Sequence, residues 1–208
     1  MKMLEQIKQR LLALVKDRNF TFIETKRADA ETYLDKFRVF EGLSIAEIEV
    51  IEQELGQRFP DDFREYLKTF GKRGGLLFEA GADLHPNEIV AYQKYGQQLL
   101  NSGGITDFFK EDSIVFYMHQ GYTFCCFQRE SSSEPYAIFY YCEGDEAPRR
   151  VYDNFTKMLE VEMKMIEGRH EEIKQMGGFY IKCRDGYEEH TMPSGGIMPR
   201  DAEDSFLD

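Results

Sequence analysis

The residues of this chain that could do chemistry are few and scattered. Asp61-Asp62 is an adjacent acidic pair, but it follows Pro60 at the start of an amphipathic run, where acids favour the positive end of a helix. Gly71–Gly75 is glycine-rich and contains Lys72, yet it follows a helical segment, whereas phosphate loops lead from a strand into a helix. His85, His119, His170 and His190 show no metal-ligand spacing. His119 precedes Cys125 closely enough to meet it across a hairpin, although a turn or strand histidine is the plainer reading. Cys125, Cys126, Cys142 and Cys183 form no CxxC pair and read as small buried hydrophobes. Ser131-Ser132-Ser133 sits in no nucleophile elbow. No catalytic group, metal site or cofactor is therefore expected.

A binding surface is the remaining option. Glu111, Asp112, Glu143, Asp145 and Glu146 are acids in loops beside predicted strands, where binding residues are commonly mounted. Tyr117, Tyr122 and Tyr141 are candidate aromatic anchors beside them. The plainer reading of the same residues is solvated loops and half-buried strand tyrosines. Arg149-Arg150 is the basic pair nearby, placed to pair with the acidic turn at residues 143–146.

The elements that must carry these residues follow from periodicity. Leu4, Ile7, Leu11 and Leu14 give an amphipathic first helix expected to dock on its own domain. A short strand is read at Phe20–Ile23, then an irregular aromatic stretch around Tyr33, Phe37 and Phe40. Ser44-Ile45-Ala46-Glu47 is a capping box, Ile45, Ile48, Ile51 and Leu55 form one helical face, and Gly56 ends that helix. Phe63, Tyr66, Leu67 and Phe70 give the buried face of the next, which stops at Gly71 and turns at Gly74-Gly75 into a strand, Leu76–Phe78. A helix from Pro86 to about Leu100 precedes strands at Ser113–Met118, Tyr122–Gln128, Tyr136–Cys142 and Arg149–Tyr152. Asp153 is read as the cap of a long helix through Phe155, Leu159, Met163 and Ile166, followed by a strand at Phe179–Cys183. This is an α+β order with helices against an antiparallel sheet. The reading divides the chain into a helical extension (1–43), an α+β domain (44–183) and a loosely ordered acidic tail (184–208).

Within this order, Ile48, Glu52, Leu55-Gly56, Phe59-Pro60-Asp61-Asp62-Phe63, Arg64, Tyr66-Leu67 and Gly74-Gly75 resemble the signature of the SUKH superfamily of fungal Smi/Knr-type cell-wall regulators and related bacterial proteins. Phe116 with Gly121, and Val151 to Phe155 with Leu159, resemble its sheet and closing helix. Lys72-Arg73 stands where the family usually has Asn. The resemblance implies a non-catalytic protein-binding role: an immunity protein that neutralises a cognate toxin, often a nuclease, or a regulatory scaffold with no toxin partner.

Charge bounds the partner. The chain carries 26 basic and 38 acidic residues, net −12, which argues against binding nucleic acid or an anionic membrane directly. A basic protein is the partner such a surface suits. The N-terminal residues carry charges within their apolar pattern, unlike a signal peptide, and no apolar run is long enough to span a bilayer, so a cytoplasmic location is expected.

Overall fold

The computed structural model describes residues 2–16, 25–26, 37–78, 86–131, 134–175, 180–184 and 187–191. Its elements are α1 (Lys2–Lys16), β1 (Thr25–Lys26), β2 (Phe40–Glu41), α2 (Ile45–Leu55), α3 (Asp61–Phe70), β3 (Arg73–Gly74), α4 (Ile89–Ser102, entered through a 3-10 turn at Pro86–Glu88), β4 (Ile114–His119), β5 (Thr123–Gln128), β6 (Ala137–Cys142), β7 (Arg149–Tyr152), α5 (Phe155–Gln175), β8 (Tyr180–Arg184) and β9 (Tyr187–Thr191). The α+β class expected from the sequence is the one observed.

The centre is an antiparallel meander, β4-β5-β6-β7. All six residues of β5 are buried, so both faces of this strand are covered. One face presents Phe116, Phe127 and Ile138, and Phe63 of α3 and Phe155 of α5 close on it. The other presents Phe124, Phe139 and Tyr141, met by Phe108 and Phe109 of the segment after α4. A bulge between Val115 and Tyr117 turns Phe116 and Tyr117 to one side. The Val115 N–H is satisfied by Gln93 Oε1 of α4 at 2.9 Å.

Helix ends follow the expected chemistry with two revisions. The Ser44–Glu47 capping box is formed, and Gly56 is left-handed at φ 67°. At the start of α5, Asn154 rather than Asp153 accepts the Lys157 N–H (2.8 Å), while Asp153 pairs with Arg150. Asp62 accepts from the Thr156 N–H (2.9 Å), so an α3 residue also satisfies an orphan donor of α5.

The strand expected at Leu76–Phe78 is a turn. Arg73–Gly74 pairs instead with Phe40–Glu41, and Gly75 (φ 67°) and Phe78 (φ 55°) curl the chain inward, burying Leu77 and Phe78. Lys72 joins Glu47 at 2.9 Å. Gly42 lies against α3 so closely that a Cβ would collide with the Lys68 carbonyl oxygen.

Helix α1 buries Leu4, Ile7, Leu11 and Val15, the first three within the same hydrophobic cluster as the sheet. Its Arg10 meets Glu167 of α5 in a two-pronged pair. The tail expected to be loose from Arg184 contains β9, which pairs with β8 and with β1 in a separate three-stranded sheet. The strand read at Phe20–Ile23 lies outside the described residues.

Candidate functional site: a groove at one end of the sheet

The candidate binding residues fall into separate places. Glu111 and Asp112 precede β4 at one end of the meander; Tyr122, Glu143, Asp145 and Glu146 lie at the other, where the Glu143 N–H donates to the Tyr122 carbonyl at 2.8 Å. A six-residue strand separates the ends by about 17 Å. Tyr117 is half-buried, its ring edge-on to Phe78 at 6.3 Å. Tyr141 is 1% exposed. Strand alternation points it with Phe124 toward the face met by Phe109, so its side chain is core and not a surface anchor. Asp145 is half-buried and accepts the Cys142 N–H at 3.0 Å, shaping the turn, while Glu143 and Glu146 are exposed.

Around Glu111 and Asp112 the chain builds a groove of about 580 Å³, lined by residues 56–61, Glu111, Asp112, Arg129 and Tyr136. One wall is the α2–α3 turn. Glu52, nearly buried, fixes it by accepting the Phe59 N–H (2.7 Å) and pairing with Arg64 (2.6 Å). The other wall hangs on buried Ser113, whose hydroxyl donates to Gln128 Oε1 and accepts the Lys110 N–H. Lys110 Nζ donates to the carbonyls of Arg129 and Glu130, both at 2.7 Å. Asp112 holds Arg129 at 2.6 Å, and the guanidinium lies over the Tyr136 ring at 4.7 Å. Asp112 raises the Arg129 pKa, and burial raises that of Tyr136. Gln57 ties the walls together through Nε2 to the Glu111 carbonyl (2.8 Å).

Sequence reasoning missed Gln57, Arg58, Arg129 and Tyr136. Gln57-Arg58 lies between Leu55-Gly56 and Phe59-Pro60 and has no periodicity or motif of its own. Arg129 and Tyr136 bracket a loop whose ends meet only once β5 and β6 pair.

The chemistry groups remain apart. His119 pairs across the hairpin with Thr123, and Cys125 sits opposite Tyr117, contrary to a His119–Cys125 encounter. Burial pushes the Cys125 thiol up to about 12, far from a thiolate at neutral pH. Arg149 lies over the Tyr140 ring and Arg150 pairs with Glu130 and Asp153, so the expected pairing with the acidic turn gives way to these contacts. Among the described residues no cluster of three His, Cys, Asp or Glu could hold a metal ion. None of the described helices is long and apolar enough to cross a membrane.

No curated protein matches the chain significantly. A family model does: the SMI1 / KNR4 family (SUKH-1) model matches residues 42–161, from Gly42 against α3 to the first third of α5. This supports an immunity-protein or regulatory domain in general. The matched region holds both walls of the groove and the whole meander, and the chain belongs to the SMI1 / KNR4 family (SUKH-1).

Proposed function

We propose that the protein is a non-catalytic immunity protein that binds and neutralises a basic partner, such as a nuclease toxin, by covering its active surface. The family match over residues 42–161 carries this reading. The net charge of −12 supports it, because a protein that handles phosphate substrates must present basic groups. Exposed Glu111, Glu143 and Glu146, together with Asp112, Asp145, Tyr117 and Tyr122, are the proposed contacts. Ends of the sheet about 17 Å apart suit a protein-sized interface better than a small ligand.

The alternative is a regulatory scaffold that recruits partners through α1 and the acidic tail. It is disfavoured because α1 already buries its apolar face in its own domain. Co-expression with the product of the adjacent reading frame tests the proposal. Rescue of growth with recovery of a one-to-one complex is expected; no rescue and no complex would overturn it.

A further inference from the structure

We infer that the groove between the 56–61 turn and the Asp112–Arg129–Tyr136 wall takes a basic side chain, arginine or lysine, of a partner protein, with the Glu111 carboxylate as its counter-charge. The inference rests on the protein-binding reading and gives it a place on the surface.

The charges in the groove decide its preference. Five ionised side chains line it: Arg58, Asp61, Glu111, Asp112 and Arg129. Arg58 is held by Asp61 at 2.9 Å and Arg129 by Asp112 at 2.6 Å. Glu111 is exposed and bonds Gln57 only through its backbone carbonyl, so its carboxylate is the surplus charge. An anionic occupant would have to draw Arg58 from Asp61 or Arg129 from Asp112, the second a pair only 30% and 27% exposed and braced by Tyr136. An apolar occupant would strip water from five charges and return nothing polar. A guanidinium or ammonium meets Glu111 and the outer oxygen of Asp61 without breaking either pair.

Gln57 adds an acceptor. Its Oε1 is buried and accepts no hydrogen bond among the described residues, while its Nε2 is spent on Glu111. A buried acceptor left unmet costs free energy, which an N–H donor entering beside the turn offsets. At about 580 Å³ the groove admits a long side chain together with part of its backbone.

The test needs no cognate partner. The full chain, labelled with ¹⁵N, is titrated with N-acetyl-Gly-Arg-Gly-amide and followed by amide shifts. Citrulline and glutamate versions of the peptide are the controls. The arginine peptide is expected to give saturable shifts at Gln57, Glu111 and Tyr136. The citrulline and glutamate peptides give none there. Glu111→Gln weakens the apparent affinity at least about threefold, and Glu172→Gln, exposed on α5, leaves it unchanged. The inference is overturned if the glutamate peptide produces these shifts, if Glu111→Gln binds as well as the parent, or if no saturable shift appears by about 20 mM. Such a failure with growth rescue intact would remove the groove and leave the protein-binding reading; loss of rescue with peptide binding intact would do the reverse.

Discussion

Glu52 holds the turn that forms one groove wall, through an acceptor role for the Phe59 N–H and a pair with Arg64 whose side chains are 10% and 17% exposed. Removing it strands a guanidinium and an amide together. Glu52→Ala is expected to lower unfolding stability by about 3 kcal/mol, and Glu52→Gln by less, read as a shifted urea midpoint at unchanged slope. Two other carboxyls move in opposite directions with pH. Glu47 is held down to about 2, chiefly by the Ser44 backbone N–H, so its contribution is present above the ordinary carboxylate range and fades as pH falls toward that value. Glu162, mostly buried and accepting the Phe78 N–H, is raised by desolvation. Its native form holds the proton more tightly than the unfolded chain does, so its contribution falls as pH rises through the ordinary carboxylate range. Glu162→Gln is therefore expected to raise the melting temperature at neutral pH and to leave it nearly unchanged below about pH 4. An equal effect at both would contradict the assignment. Asp62 shows where reading single residues stops: the sequence accounts for it by its own helix, and only the fold reveals Thr156 as its partner.

At the scale of elements, most of the helices and strands were legible because each had its own punctuation. Ser44 and Gly56 bracket α2, and Gln120 (φ 47°) with Gly121 (φ 81°) makes the tight turn between β4 and β5. The failures have a common cause. Leu76–Phe78 is apolar enough for a strand, but Gly75 and Phe78 adopt positive φ and fold it under the core. Strand β9 has five residues, Tyr187–Thr191, with no apolar alternation, and is held by pairing on both sides, which composition does not encode. Helix α1 was legible as amphipathic, and its burial makes a prediction. Leu11 is fully buried, so Leu11→Ala should cost about 3 kcal/mol in denaturant unfolding. A loosely attached recruiting arm would show almost no loss.

For the whole molecule, the apolar spacing and acidic balance of the sequence account for a buried aromatic core and a net charge of −12. They did not locate the groove, because its walls come from residues 56–61 and from Glu111 to Tyr136, joined by the Gln57–Glu111 bond. Nor did they show that the acidic loops split between opposite sheet ends, or that Tyr141 turns inward. An acidic surface of this kind is expected to bind a basic protein. The most direct measurement of that binding is calorimetric titration of the purified full chain with the product of the adjacent reading frame at rising ionic strength. A one-to-one complex whose affinity falls steadily with salt is expected. Absence of binding at low salt, or an affinity indifferent to salt, would contradict it.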